Sequence, residues 1–380
     1  MPIAKSKGVV GIDLGHSAIK VVQIERNGTG YKVARAGTVA TPPESIKDGV
    51  VVDPDAVGAA IKAALKEAHI HSGVGVIAAS GGTVFVRQVP YPKMSAQMLR
   101  ESLKFEAGRY IPGSVDESYV EADILGPVDD AHMSVVLVAA PRDLVGSRIA
   151  AVERAGLEVH EVDVESFASY RATVEFDPGR DFGDKTVALL DLGAAKTSVS
   201  VIQNGAFVMQ RSLNAGGRAL TEALMSYFTL EEADAESGKS VLDVTELLVG
   251  KPEDNPPLRV IQPMIDDLIR ELKRSFNFFQ SQTSSSSGEG QVPPRVETVL
   301  LCGGAARLKG LAAYMEQKLG LPTQTIGAYD NPAITHNGVH EDAGLDLTVA
   351  AGLALRSFAQ RPVEKSKGSR AKTSPLGKAA

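Results

Sequence analysis

Short runs of apolar, mostly β-branched residues open the chain, and each run ends near a turn that contains glycine. The runs cover 8–15, 18–24 and 31–38, and the dipeptide Asn27-Gly28 lies before the third run. Such runs and turns predict three strands joined by tight turns. Over 53–68 the apolar residues instead recur every four positions, and this spacing predicts a helix.

The opening pattern returns at residue 186, which indicates an internal duplication. In each copy an aspartate lies two positions before a glycine, a lysine follows, and an Asn-Gly dipeptide comes later. These residues are Asp13, Gly15, Lys20 and Asn27-Gly28 in the first copy, and Asp191, Gly193, Lys196 and Asn204-Gly205 in the second. A repeat at such a long spacing predicts two related domains and not a solenoid.

The segment between the two copies, 81–155, has the pattern of an inserted α+β subdomain, with Ser95 as a candidate N-cap of its first helix. We predict a first core domain formed by 8–80, 156–185 and 345–358, the insert 81–155, and a second core domain over 186–344. Within the second domain we expect helices over 218–280, with breaks at Gly238 and near Thr229, and a loop over 281–294. The tail 359–380 is predicted to be disordered.

The two hairpin turns carry the residue types of a phosphate site. A glycine turn exposes backbone N–H groups to an anion, a nearby aspartate can hold hydrated Mg2+, and a lysine can neutralise phosphates. The first turn supplies Asp13, Gly15, His16, Ser17 and Lys20, and the second supplies Asp191, Gly193, Ala194, Lys196 and Thr197. Either hairpin alone is weak evidence, but the repeat in register favours a clamp that holds a triphosphate from both sides.

A third glycine turn follows a buried strand near the end of the second copy. The apolar run 296–301 leads into Gly303, Gly304 and Ala305, and Leu308 lies just before a helical stretch. Small residues at this place let the backbone lie against the base and ribose of a nucleotide. A plain strand-to-helix turn explains these residues equally well when they are taken alone.

Together the three turns resemble the phosphate and adenosine motifs of the actin, heat-shock chaperone and sugar-kinase superfamily. The resemblance implies an α/β protein with a duplicated actin-like (RNase H-like) ATPase fold, whose two domains surround a nucleotide cleft. Segments 11–20, 163–168, 216–222 and 271–279 resemble the PilM family of type IV pilus assembly. That family is similar in layout to the cell-division protein FtsA, with an α+β insert in the first domain. The tail lacks the amphipathic membrane helix of FtsA, which favours the PilM family.

The resemblance also implies the ligands, which are ATP and Mg2+, with slow turnover or none. Asp13 and Asp191 would hold the metal, and Gly216 and Gly217 would lie beside the nucleotide.

Three acidic residues and one lysine receive roles from the same resemblance. Glu236 would contact the ribose and Lys239 the base, although a solvated helical charge pair explains both residues equally well. Glu165 would orient the attacking water, with Asp13 as the other catalytic carboxylate and Asp163 as the competing choice for the base.

Composition excludes several classes of function. The formal net charge of -6 argues against a nucleic-acid-binding surface, because phosphate binding depends on clustered Lys and Arg. A single cysteine, Cys302, excludes an internal disulfide framework and fits a reducing compartment. No apolar run approaches the roughly 20 residues that span a bilayer. We therefore expect a cytoplasmic protein that reaches the inner membrane only through partners.

The implied partner is the short N-terminal cytoplasmic segment of a PilN-like membrane protein, bound between the first core domain and its insert. The segment 91–112 is a candidate wall of that groove, with apolar residues Met94, Met98, Leu99, Leu103, Phe105 and Tyr110. Core packing of the insert helix explains these residues equally well. Other inner-membrane and motor components of the pilus, and a second copy of the chain, are further expected partners. Two alternatives stay open, a small-molecule kinase of the same superfamily and an FtsA-like filament-forming division protein.

Overall fold

A computed structural model describes residues 8–177, 179, 182, 185–249, 255–284, 294–336 and 343–359. Its strands are β1 (Val9–Leu14), β2 (Ala18–Asn27), β3 (Gly30–Ala40), β4 (Ile46–Lys47), β5 (Val50–Val51), β6 (Val74–Ala79), β7 (Phe85–Pro92), β8 (Ser118–Pro127), β9 (His132–Pro141), β10 (Glu158–Val164), β11 (Thr186–Leu192), β12 (Thr197–Gln203), β13 (Ala206–Leu213), β14 (Thr298–Cys302), β15 (Thr323–Thr325) and β16 (Ile334–His336). Its helices are α1 (Pro54–Glu67), α2 (Ala96–Glu106), α3 (Arg142–Arg154), α4 (Glu165–Tyr170), α5 (Gly217–Phe228), α6 (Glu232–Val241), α7 (Glu246–Val249), α8 (Pro256–Ser284), α9 (Leu311–Leu319) and α10 (Thr348–Leu355).

Two sheets share one strand order, which confirms the duplicated fold. The first sheet has the order β10-β6-β1-β2-β3-β16, with β1, β2 and β3 antiparallel and with β6 and β10 parallel to β1. The second sheet begins β15-β14-β11-β12-β13 and repeats these pairings. Strands β1 and β11 are buried along their whole length, as expected for central strands covered on both faces. Each of them therefore carries its aspartate to the same end of its sheet.

The insert extends the second sheet. Strands β7, β9 and β8 form an antiparallel unit that joins β13 where Met209 pairs with Arg87. Helix α2 packs on this unit and begins as predicted, because the Ser95 side chain accepts a hydrogen bond from Met98 N at 3.2 Å. The insert is thus bonded to the second domain as well as linked by the chain to the first.

Helix α3 packs on both the first core domain and the insert. Its Ala151 and Val152 lie in one apolar cluster with Val57 and Ile61 of α1. The predicted insert, 81–155, includes α3, because α3 directly follows the insert strand β9 along the chain. Helix α3 also contacts β5, β6 and β10.

Helices α4 and α10 pack against each other between the two sheets. A Cβ added at Gly352 of α10 would overlap the carbonyl oxygen of Ala168 in α4, and a Cβ at Gly11 would overlap that of Ala350. Buried Arg171 follows α4 and donates to Asp163 Oδ2 at 2.8 Å and to the carbonyl of Gly352. Small residues therefore set the close approach of the two helices, and Asp163 is a structural ion-pair partner.

The helical part of the second domain differs in detail from the prediction. Helix α5 ends at Phe228, and the next residue, Thr229, adopts a left-handed φ of 55°, so a break occurs there as expected. The predicted break at Gly238 is wrong, because this residue lies inside α6. Helix α8 continues to Ser284, beyond the predicted start of the loop, and the rest of that loop before residue 294 lies outside the described residues. The predicted tail also lies outside them, apart from residue 359.

Candidate functional site

The first hairpin turn places Asp13 and Lys20 opposite each other on β1 and β2. Lys20 Nζ donates to Asp13 Oδ2 at 2.9 Å, and both side chains are largely buried. Burial acts to lower the pKa of Lys20, but the charge and hydrogen bond of Asp13 outweigh it and raise that pKa above its ordinary value. At the turn, a Cβ on Gly15 would lie 2.7 Å from the carbonyl oxygen of Ala18, so glycine is required for this geometry.

The second hairpin turn has a different residue opposite its aspartate. Asp191 faces Ser198 on β12, and Ser169 Oγ donates to Asp191 Oδ2 at 2.8 Å. Burial raises the pKa of Asp191 above its ordinary value, although the Ser169 hydrogen bond opposes this effect. Lys196 lies in the turn before β12, so it does not correspond in strand register to the lysine of the first hairpin. Its amine instead contacts Asp48 of the first domain.

Two of the predicted site residues, Thr197 and Gly216, support the second turn from the side that does not line the cleft. Thr197 is fully buried, and its Oγ1 donates to the carbonyl oxygen of Ala215 at 2.5 Å. A Cβ on Gly216 would overlap the backbone of Ala194, so this glycine lets the next loop pass close to the turn. Neither Thr197 nor Gly216 lines the cleft between the domains. Their contacts support a role for both residues in bracing the second turn, because neither residue lines the cleft.

The third turn lies beside the second aspartate. Gly303 has a positive φ of 85°, and a Cβ on it would overlap the Asp191 carboxylate. Gly304, Ala305 and Leu308 follow along the cleft wall. A Cβ on Gly304 would lie 3.0 Å from Asp346 Oδ1, so small residues keep this wall close to the cleft floor.

Glu236 and Lys239 project from α6 toward α5 and form a network with buried Thr221. Lys239 Nζ donates to Glu236 Oε1 and to Thr221 Oγ1, each at 2.7 Å, and Thr221 Oγ1 donates to Glu236 Oε1. The same amine lies 3.3 Å from the carbonyl oxygen of Gly217, which also lines the cleft. The pair is therefore fixed at the cleft edge and is more than a solvated surface pair.

Glu165 begins α4 and reaches the floor of the cleft. Burial raises its pKa to about 8, and the negative charges of Asp191 and Asp13 act in the same direction. Asp163, the competing choice for a base, is bound to the Arg171 guanidinium and does not line the cleft. Of these two candidate bases, Glu165 alone lines the cleft.

His16 lines the cleft in the first turn, beside Ser17. Burial lowers the pKa of His16, and the positive charges of Arg148 and Lys196 lower it further. Its imidazole is therefore neutral at neutral pH and can donate one N–H bond to an anion.

Sequence reasoning missed Asp48, which lines the cleft, and Arg148, which supports the segment that carries Asp48. The Arg148 side chain is only 2% exposed. It donates from Nε to the carbonyl of Gly49 at 2.7 Å, from Nη1 to that of Ala78 at 3.1 Å, and from Nη2 to Ser80 Oγ at 2.7 Å. It thereby fixes the β4–β5 hairpin at the cleft mouth. The one local signal was the Asp-Gly dipeptide at 48–49, which is typical of a tight turn.

The cleft between the two domains has a volume of about 1270 Å³. The predicted site residues that line it are Asp13, Gly15, His16, Ser17, Lys20, Glu165, Asp191, Gly193, Ala194, Lys196, Gly217, Glu236, Lys239, Gly303, Gly304, Ala305 and Leu308. Two glycine turns and two lysine amines on its walls fit a polyphosphate. Within the described part of the chain, no group of three or more Asp, Glu, His or Cys could hold a metal ion by itself. The residues fit Mg2+ only in the manner usual for this ion, with one or two carboxylates, water and phosphate oxygens.

The chain matches the family described as type IV pilus assembly protein PilM over residues 11–358. Among solved structures it is similar to a PilM-PilN type IV pilus biogenesis complex, with a TM-score of 0.77 and 27% identity over 93% of this chain and 99% of that chain. The ethanolamine utilization protein EutJ from Carboxydothermus hydrogenoformans shares the fold, with a TM-score of 0.52, 18% identity, and coverage of 93% of this chain and 91% of that chain.

Curated relatives include the cell division protein FtsA of Streptococcus pneumoniae, 24% identical over 265 residues. The match covers 62% of this chain and 56% of that protein, so the chain spans little more than half the length of the first curated relatives it matches. In the described parts of the chain, no helix is both long and apolar enough to cross a membrane.

Proposed function

The chain belongs to the PilM family of type IV pilus assembly proteins, and we propose that it is an ATP-binding scaffold for a PilN-like membrane protein. The observation that carries the nucleotide proposal is the pair of hairpin turns on the two central strands, which line one cleft. The likeness to a solved PilM-PilN complex supports the proposed partner.

In this proposal the phosphates of ATP lie between the two hairpin turns. Backbone N–H groups of the turns at 13–17 and 191–196 and the amine of Lys20 bind phosphate oxygens. Asp13 and Asp191 would hold Mg2+, and the bound ion would neutralise part of the phosphate charge. The small residues of 303–305 support the adenosine.

The ribose and base lie beside the network of Glu236 and Lys239. Glu236 has a half-exposed carboxylate that is already oriented by two hydrogen bonds, so it can accept one from a ribose hydroxyl with little loss of side-chain entropy. Lys239 is mostly buried and faces the same edge.

Turnover is proposed to be slow. A general base must be deprotonated to accept a proton from water. In the protein without metal or nucleotide, a pKa of about 8 keeps the Glu165 carboxyl mostly protonated at neutral pH, so it is a poor base in that state. This fits a scaffold that uses ATP as a bound ligand.

The proposed contact with the partner lies on the insert. Leu99 and Leu103 on one face of α2 are buried in the insert core, so core packing accounts for them. On the outer face Met98 is 57% exposed and Phe105 is 85% exposed. An apolar peptide segment that covers these two side chains would remove them from water, which is favourable. The protein would then lie in the cytoplasm and reach the inner membrane through its partner.

The sequence likeness to FtsA favours one second candidate, a filament-forming protein. ATP-dependent light scattering and electron microscopy of the purified chain distinguish a filament from a scaffold that stays dispersed.

Isothermal titration calorimetry tests both halves of the proposal separately. The full chain is titrated with ATP and Mg2+, and then with a synthetic N-terminal peptide of the PilN-like protein from the same pilus system. A scrambled peptide is the control. Binding of ATP and of the native peptide, but not of the scrambled peptide, supports the scaffold, and absence of heat in either titration contradicts that half.

A further inference from the structure

An ion pair connects the two domains at the mouth of the cleft between them. Lys196 Nζ in the second turn lies 2.8 Å from Asp48 Oδ1 in the β4–β5 hairpin, across 148 positions of sequence. The Lys196 side chain is only 18% exposed, whereas that of Asp48 is 83% exposed. Lys196 therefore points into the cleft, and Asp48 reaches it from the rim.

The hairpin that carries Asp48 is anchored and not free to move away. Asp48 adopts a left-handed backbone φ of 49°, and the following carbonyl of Gly49 accepts from the buried guanidinium of Arg148 at 2.7 Å. The backbone N–H of Val51 donates to Ser147 Oγ at 3.0 Å. Neighbouring residues of α3 thus hold the turn and the second strand of the hairpin and present the Asp48 carboxylate at a defined position.

The Lys196 amine lies where both turns can share an anion. It belongs to the second turn, and its charge contributes, after burial, to the lowered pKa of His16 in the first turn. It also lies within 3.8 Å of the position that a Cβ on Gly82 would take. A carboxylate bound to this amine occupies a place that suits a terminal phosphate group.

We propose that Asp48 is a built-in competitor for Lys196, so that a nucleoside polyphosphate must displace its carboxylate and release the bridge between the domains. The proposal rests on the proposed nucleotide-binding function. In the free protein the Lys196–Asp48 bridge holds the two domains together at the cleft mouth. When a nucleotide binds, a terminal phosphate replaces the Asp48 carboxylate as the anion on Lys196.

Glu44 provides a matched control for Asp48. It also carries a carboxylate that lines the cleft, but it pairs with Lys47 of its own segment at 3.0 Å. Glu44→Gln therefore removes the same charge from the same rim without touching the bridge.

The test is a double-mutant cycle read by ATP affinity. Asp48→Asn should lower the Kd for ATP about two- to fivefold, since an ion pair with an exposed partner changes an equilibrium by up to roughly fivefold. In a Lys196→Met background, Asp48→Asn should have no effect. Glu44→Gln should leave the Kd unchanged, and AMP, which lacks the terminal phosphates, should bind all variants alike. An unchanged or higher Kd for ATP in Asp48→Asn overturns the proposal.

A second readout needs no nucleotide and separates this proposal from the function it rests on. Fluorophores on Lys62→Cys in the first domain and Val249→Cys in the second, both exposed positions, report the distance between the domains. Asp48→Asn should increase the distance in the free protein, and Glu44→Gln should not. An unchanged distance contradicts the bridge, whereas failure of the unsubstituted chain to bind ATP contradicts the proposed function instead.

Discussion

The Asp13 carboxylate accepts a hydrogen bond from Lys20 at 2.9 Å across the first hairpin, so the two halves of the duplicated cleft differ in charge. In the second hairpin the equivalent position opposite Asp191 is Ser198, a neutral residue. The cleft floor therefore holds one neutralised carboxylate and two others, Asp191 and Glu165, whose pKa values burial raises. Because Asp191 and Glu165 have no lysine among the described residues paired with them as Asp13 has, a positive charge added at the cleft floor would be stabilised there.

Glu165→Gln should stabilise the protein at pH 8 and leave it nearly unchanged at pH 5. A folded-state pKa of about 8, above the ordinary 4.5, means that Glu165 favours folding below pH 4.5 and loses this contribution as pH rises through 8. Glutamine keeps the neutral form at every pH. One unit of pKa corresponds to about 1.4 kcal/mol, so the rise from 4.5 to about 8 sets an upper limit of about 5 kcal/mol on the gain in the free energy of unfolding at pH 8.

Thermal unfolding at both pH values measures the Glu165→Gln effect. Glu67→Gln, on the exposed face of α1, is the control and should shift Tm equally at both values. A Glu165→Gln variant that follows the control would contradict the assigned environment.

Gly352→Ala should lower the free energy of unfolding by about 1–3 kcal/mol, because the new methyl group overlaps the carbonyl of Ala168 in the packed pair α4 and α10. Gly238→Ala is the matched control inside another helix, where a Cβ meets no heavy atom within 4 Å. That change should raise stability by about 0.5–1 kcal/mol. Urea unfolding measures the free energy of unfolding of both variants. Equal changes in the two variants would mean that α4 and α10 do not pack this closely.

Much of the fold follows from local sequence signals. The Asn204-Gly205 turn was predictable because a two-residue hairpin needs positive φ at both positions, and these residues have φ of 52° and 72°. The N-cap Ser95 and the two fully buried central strands are signals of the same local kind. Since each copy of the hairpin carries its own turn signals, the duplication was visible without any long-range information.

The charged contacts at the cleft mouth could not be predicted in this way. Arg148 reaches Gly49 across 99 positions, and no pattern in α3 distinguishes a buried arginine from an exposed one. Lys196 follows Asp191 in the sequence as Lys20 follows Asp13, but Lys196 precedes β12 and so does not face Asp191. Strand register, and not spacing in sequence, decides which residue faces an aspartate.

Glu236→Gln should weaken ATP and ADP binding by the same factor, about three- to tenfold, because the ribose is common to both nucleotides. Glu232→Gln is the control, since Glu232 begins the same helix and lines the same cleft. Competition titrations with a fluorescent nucleotide measure both affinities. If only the affinity for ATP falls, Glu236 contacts the phosphates and not the ribose.

Phe105→Ser should weaken binding of the PilN-like peptide at least tenfold and leave Tm unchanged, because this side chain is 85% exposed and contributes little to the core. Val249→Ser changes an equally exposed residue, 91% accessible, in the second domain. Calorimetry with the peptide should show no effect of that control. If both variants bind the peptide like the unsubstituted chain, the partner contacts another face of the protein.

The most direct test of the nucleotide clamp is the Mg2+ dependence of ATP affinity in Asp13→Asn. Asparagine keeps an oxygen that can accept the hydrogen bond of Lys20, so the fold should be retained, as circular dichroism can verify. The unsubstituted chain should bind a fluorescent ATP analogue more tightly with Mg2+ than with EDTA. In Asp13→Asn that gain should disappear, with a loss of about ten- to hundredfold in the presence of Mg2+. Equal affinities of the two proteins under both conditions would contradict the clamp.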